Sequence, residues 1–212
     1  MIRIYLADLK DLPDRQTLSA RITMNVGEKR EAWSRMRDAQ ARASMAGMLL
    51  LETALCEEGL APDRMSVLRE ASGRPYLEGA TLDFSISHTD TAAVCAVDFG
   101  AEAMEARLGV DVERIDGSRD EASMLRIARR WFSEGEIGLL EKEPTEETFL
   151  QIWTAKEAIV KRTGEGLCAA RSVDTTAEQT DRKLTVYRTD TAILTLCHRA
   201  DREAPTEMIQ FH

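Results

Sequence analysis

The sequence predicts an α+β fold, with two similar α/β lobes, residues 1–105 and 106–212, as the expected arrangement. Three observations carry this. Strand-like segments alternate with long runs of helix formers along the chain. Thr89-Asp90-Thr91-Ala92 ahead of one apolar strand recurs as Thr189-Asp190-Thr191-Ala192 ahead of another. No low-complexity segment or flexible linker separates the halves, so they are expected to share an extended interface. The echo has two readings: chance repetition of common turn residues, or duplication of one α/β unit.

Taken in order, residues 2–7 form a short apolar opening strand. Glu28 to about Glu57 is rich in helix formers, has no proline, and spaces Trp33, Met36, Ala43, Ala46, Leu50 and Ala54 along one helix face. Gly59 and Pro62 end it. Gly73-Arg74-Pro75 signals a turn before an extended Tyr76-Leu77. Phe84-Ser85-Ile86-Ser87 alternates as a half-buried strand, with Ala92 to Val97 as its hairpin partner. Leu108 to Glu113 is a further strand, followed by a helix from about Glu121 to Trp131. Ser133 with Glu136 three residues on is a capping box opening a second helix. A third runs from about Glu146 to Arg162 and stops at Gly164, before strands at Leu184–Tyr187 and Ile193–Cys197.

A chain of 212 residues suits one domain or two small lobes sharing a core. The net charge of −9 supplies no global basic field for nucleic acid, so an anionic ligand needs a local basic patch. Arg3 and Asp8 interrupt the opening apolar run before it could serve as a signal peptide, and no stretch nears the roughly 18 apolar residues of a membrane span. Cys56, Cys95, Cys168 and Cys197 lack zinc or redox spacing, and three of them sit in apolar runs that favour a free buried thiol. His88, His198 and His212 are far apart. The composition therefore points to a cytoplasmic protein without zinc.

Asp111 and Glu113 stand two apart on an apolar strand, so both carboxylates share one face while Val110 and Val112 turn to a core. Paired carboxylates on such a strand repel and lose hydration, and a hard dication such as Mg²⁺ relieves both. The alternatives are a solvated strand face or ion pairs with Arg107 or Arg114. On the third helix Glu157 and Lys161 are four apart, one turn beyond Trp153. These are either an exposed ion pair or an acid and a base suited to metal-assisted phosphoryl chemistry.

Together these segments resemble the 4′-phosphopantetheinyl transferase superfamily. Gly109-Val110-Asp111-Val112-Glu113 is similar to its Gly-(Val/Ile)-Asp-x-Glu signature. About forty residues later Trp153-Thr154-Ala155-Lys156-Glu157-Ala158-Ile159-Val160-Lys161 is similar to its Trp-x-x-Lys-Glu-x-x-x-Lys. Trp131-Phe132-Ser133 with Glu136, Gly164-Glu165-Gly166-Leu167, Gly73-Arg74-Pro75 and Ser85-Ile86-Ser87-His88 stand where further family elements stand. The likeness covers about residues 28–170, and the length fits the monomeric, two-lobed branch that activates peptide and polyketide synthetases. It implies a pseudo-twofold duplication with the active site between the lobes.

The resemblance implies a Mg²⁺-dependent transferase, with Mn²⁺ able to substitute, that moves 4′-phosphopantetheine from coenzyme A to a serine of an apo acyl or peptidyl carrier protein. Asp111, Glu113 and Glu157 would hold the metal, and Glu157, directly or through a water, would help deprotonate the serine. Lys161 would contact the pyrophosphate and stabilise the leaving nucleotide. Ser87 and His88 would bind phosphate oxygens, Arg42 the 3′-phosphate, and Arg74 would stand for the commoner lysine with a planar guanidinium. Lys29 and Arg30 are candidates for further basic contacts, and Glu165 departs from a frequent basic residue. No nucleic-acid or membrane partner is expected. The rivals are a non-catalytic module binding coenzyme A or a carrier protein, and an unrelated Mg²⁺-dependent phosphohydrolase.

Overall fold

The computed structural model describes residues 1–100, 107–177 and 180–211. The lobe boundary expected between residues 105 and 106, and His212, lie outside them. Strand β1 (Ile2–Asp8) is followed by α1 (Arg15–Arg21), α2 (Lys29–Arg35) and α3 (Asp38–Glu57). A two-stranded ribbon of β2 (Val67–Arg69) and β3 (Pro75–Leu77) leads to the hairpin β4 (Leu82–His88) and β5 (Ala92–Phe99). Next come β6 (Gly109–Arg114), α4 (Glu121–Trp131), α5 (Glu134–Lys142) and α6 (Glu146–Thr163). The chain closes with β7 (Arg182–Arg188), β8 (Ala192–Arg199) and β9 (Ile209–Phe211).

Two sheets result, ordered β4-β5-β1-β9 and β6-β8-β7. Apart from β9, which runs parallel to β1, both are antiparallel. Alternation along the strands decides the layering. Ile2, Ile4, Leu6, Val94 and Ala96 on one sheet meet Leu108, Val110, Val112, Leu194 and Leu196 on the other, a core between sheets. The first sheet's opposite row, including Tyr5, Phe84, Cys95 and Val97, packs under α3. The second sheet's opposite row, with Ile193 and Cys197, packs under α6. The order of layers is thus helix, sheet, sheet, helix.

Leaving aside β9, the last strand of each sheet in chain order, β5 or β8, lies between the two that precede it in that sheet. The two Thr-Asp-Thr-Ala turns repeat the same bonds. Thr89 N donates to Ala92 O at 2.8 Å and Thr189 N to Ala192 O at 2.9 Å. Ala92 N and Ala192 N each donate to the turn threonine Oγ1 at 3.0 Å.

The single helix expected over Glu28–Glu57 is two. Met36 and Arg37 are extended, with ψ of 155° and 150°, so that α2 folds back on α3. Trp33 is thereby buried, its Nε1 donating to Ser44 Oγ at 2.9 Å, a tertiary contact that overrides local propensity. Helix α1, capped by Asp14 on Thr17 N, and strand β9 are further elements the periodicity does not predict. Of the four cysteines, three of them expected to be buried, Cys95 and Cys197 are buried, whereas Cys56 at the end of α3 and Cys168 are exposed. No helix among the described residues is long and apolar enough to cross a membrane.

Candidate active site

The site grows from β6, the edge strand of the second sheet. Gly109, Asp111 and Glu113 face α6, and Gly109 lets that helix lie on the strand itself. A Cβ there would stand 2.0 Å from Ala158 O and 2.6 Å from Arg162 N. This close approach carries Glu157 and Lys161 over Asp111. The free edge of β6 is sealed by side chains of β4 rather than by a ladder. Leu108 N donates to Asp83 Oδ2 at 2.7 Å and Val110 N to Ser85 Oγ at 3.0 Å. The next residue of that row, Ser87, donates to Asp111 Oδ1 at 2.7 Å.

Lys161 Nζ completes this centre, 2.6 Å from Asp111 Oδ1 and 2.7 Å from Ser87 Oγ. Glu113 turns to Arg119, 3.2 Å away, rather than to Arg107 or Arg114, which pair with Glu70 and Asp116. Burial, then Asp111 and Glu113, push the Glu157 carboxyl up to about 7. Burial and Asp111 raise Glu113 too, while Arg119, Lys161 and the Trp153 indole pull it back. The three carboxylates therefore share one electrostatic neighbourhood. Asp111 Oδ2 is buried with no hydrogen-bond partner, an acceptor left over for a cation. Among the described residues no three His, Cys, Asp or Glu side chains are gathered into a ready-made metal cage; Asp111 leans on Lys161 and Glu113 on Arg119. The donor set is all oxygen, which suits Mg²⁺ or Mn²⁺.

Beside this centre opens a cleft of about 360 Å³, with Lys29, Arg69, Arg74, His88 and Lys161 among its lining residues and Glu157 at its inner wall. Burial, then Lys29 and Lys161, depress the His88 imidazole, and burial together with Arg69 lowers the Lys29 ammonium to about 8. The poorly hydrated ammonium groups of Lys29 and Lys161 attract an anion, and the neutral His88 ring can add a hydrogen bond to it. Arg42 is not brought here. It donates to the carbonyls of Leu9, Leu12 and Pro13 and lines a separate hollow with Lys10, Asp90 and Asp190. Arg30 is likewise elsewhere, on Ile22 O and Ser19 O. Arg74 borders the cleft with its guanidinium turned inward onto Asp83.

Lys156, between Trp153 and Glu157 in the same motif, faces away from the cleft. Its ammonium meets Glu136 Oε2 at 2.7 Å and the Val173 carbonyl, fully buried beside the Phe132 ring. Glu136 also receives Ser133 N in the capping box, as well as Thr175 N and Oγ1. The pair fixes α6 against α5 and the segment after Gly164, whose left-handed conformation ends the helix. Asp83 and Arg119 also escaped the sequence reading. Asp83 had a signal, standing in one period-2 row with Ser85 and Ser87.

Residues 107–206 match the family model described as the 4′-phosphopantetheinyl transferase superfamily. A 4′-phosphopantetheinyl transferase of Bacillus subtilis is 32% identical over 146 residues, 66% of this chain and 60% of that protein. The 4′-phosphopantetheinyl transferase HetI of a Nostoc species is 30% identical over 55% of this chain and 48% of its own length. The 4′-phosphopantetheinyl transferase psf-1 of Bacillus pumilus is 30% identical over 77% of this chain and 68% of its length. The match thus spans about half to two thirds of these relatives. With the family's acidic strand and lysine helix meeting at one cleft, the chain belongs to the 4′-phosphopantetheinyl transferase superfamily.

Proposed function

We propose that the protein transfers 4′-phosphopantetheine from coenzyme A to a serine of an apo acyl or peptidyl carrier protein, releasing adenosine 3′,5′-bisphosphate. The observation that carries this is Lys161 Nζ between Asp111 and Ser87, with Glu157 one helical turn away on the wall of a basic cleft. The serine Oγ attacks the pantetheine-bearing phosphorus. Its proton passes to Glu157, directly or through a water, as general base. The bond from that phosphorus to the bridging pyrophosphate oxygen breaks, and Lys161 neutralises the charge left on the nucleotide. Lys29, Arg69 and His88 hold the phosphates, and Ser87 orients Lys161. Asp111, Glu113 and Glu157 would hold Mg²⁺, or Mn²⁺ in its place, which supplies charge neutralisation at the pyrophosphate when bound.

We read residues 1–105 and 106–212 as two lobes of a duplicated unit with this site between them. The shared strand order and the matching turn bonds support that reading. The carrier would approach over Leu167 at the cleft mouth and the solvent face of α4. There Arg126, Arg129 and Arg130 are exposed, while Arg130 and Arg171 flank the Trp131 ring at 5.6 and 5.0 Å. We place the protein in the cytoplasm as a monomer.

The test is incubation with coenzyme A, Mg²⁺ and a panel of apo-carriers, read by intact mass. Phosphopantetheine addition to at least one carrier is expected, and Glu157→Gln should lower the rate by about 10²–10⁴-fold while keeping the fold. An unchanged rate in that variant would refute the assignment of Glu157. Tight coenzyme A binding with no carrier modified would favour a binding module instead, and release of phosphate alone a phosphohydrolase.

A further inference from the structure

Arg74 is only 7% exposed, and its guanidinium is spent inside the protein. Nη1 donates to Asp83 Oδ1 at 2.8 Å and Nη2 to Asp83 Oδ2 at 2.7 Å, a forked pair. Nη2 also donates to Leu108 O at 3.0 Å and Nε to Lys161 O at 3.1 Å. Asp83 Oδ2 in turn accepts Leu108 N at 2.7 Å. One side chain thus joins the turn before β3, strand β4, the start of β6 and the last turn of α6. The carbonyl it grips belongs to the residue whose ammonium sits on Asp111.

Resting on the transferase reading, we propose that Arg74 is a positioning residue. Through Asp83 and the Lys161 carbonyl it sets the end of α6 against β6, and so fixes Lys161 over Asp111, instead of binding a phosphate of coenzyme A. Two facts separate this from the anion-binding role that its place in the Gly73-Arg74-Pro75 element implies. Its three nitrogens are already engaged, and its charge is balanced by a buried carboxylate rather than offered to the cleft. A lysine at this position would keep the charge but could not form the fork while also reaching two carbonyls on different elements.

The experiment compares wild type, Arg74→Lys, Asp83→Asn and the double variant. It measures kcat and KM for coenzyme A in carrier loading, adenosine 3′,5′-bisphosphate affinity by calorimetry, and folding by circular dichroism. Arg74→Lys is expected to lower kcat on the order of 10–100-fold, as small misplacements of reacting groups do, with nucleotide affinity within about threefold of wild type. Asp83→Asn should reproduce that pattern, and the double variant should be little worse than either, because both break one fork. Loss of nucleotide affinity by about tenfold or more in Arg74→Lys with kcat kept would overturn the inference. So would a folded Asp83→Asn with unchanged kcat, and this result decides the matter if Arg74→Lys does not fold. Wild type that loads no carrier would sink the transferase reading itself, and this inference with it.

Discussion

Lys29 is half-buried in the cleft wall, and its ammonium has Met48 Sδ at 3.7 Å and, among the described residues, no carboxylate paired with it. Burial, then the charge of Arg69, hold it down to about 8, with His88 and the buried Cys95 as its other titratable neighbours. A cation with a lowered pKa is present below that value and disappears as the pH rises through it, so anion affinity should fall between about pH 7.5 and 9. Calorimetric titration of adenosine 3′,5′-bisphosphate in EDTA at fixed ionic strength should show that decline. Lys29→Met should bind more weakly and lose the slope; a slope retained in the variant would show that another group produces it. The His88 imidazole is depressed and titrates below this window, the Glu157 carboxyl at about 7 ionises mainly below it, and burial raises the Cys95 thiol out of it. Lys156 makes the opposite case, a lysine whose charge is fully paired inside. Lys156→Met leaves Glu136 charged and buried without its partner, which should cost about 3–5 kcal/mol in urea denaturation, with much of it recovered on adding Glu136→Gln. Equal stability of the single and double variants would contradict this. From sequence, Lys156 and Lys161 carry the same charge five residues apart, on different faces of the helix. The packing of Phe132, Val173 and Thr175 around the first shows which is the structural lysine and which faces the cleft.

At the scale of elements, α4 carries an apolar stripe of Met124 and Ala128 beneath an arginine-rich solvent face. Reversing Arg126, Arg129 and Arg130 to Glu should lower kcat/KM for an acidic carrier by an order of magnitude or more while leaving KM for coenzyme A alone. Wild-type carrier loading should also weaken as salt is raised. Steady-state kinetics with each substrate varied in turn checks both, and a carrier KM that ignores the reversal would remove α4 from the docking surface. The caps of this region were legible in the chain. Ser133 with Glu136 forms the box its spacing predicts, and Gly164 ends α6. The break between α2 and α3 was not legible, because it is enforced by Trp33 reaching Ser44 and no proline or glycine marks it.

Across the whole molecule, the order helix, sheet, sheet, helix makes the core between the sheets common property of segments before residue 100 and after residue 107. Strand β9 from the end of the chain pairs with β1 from its beginning, and Arg202 closes on the buried Asp98. Such interlocking should make unfolding a single cooperative transition. Urea denaturation followed by Trp33 in one variant, and by Trp131 and Trp153 in another, should give coincident midpoints; separated midpoints would mean two independent lobes. The repeated Thr-Asp-Thr-Ala turns and the alternation of Asp111 and Glu113 against Val110 and Val112 let most of the strands and the acidic face be read in advance. What the periodicity could not supply is how two faces of like hydrophobicity choose each other, which depends on shape and on distant residues.

The seal along β6 has a colloidal consequence. An edge strand whose amides lack partners is a template for another chain. Here Asp83 and Ser85 occupy those amides with carboxylate and hydroxyl oxygens, which no incoming strand can extend. The same two side chains that hold the acidic strand in place therefore also guard the protein against self-association. Their removal would expose a Val-rich edge at the moment the site comes loose, so that loss of activity and the onset of aggregation would arrive together.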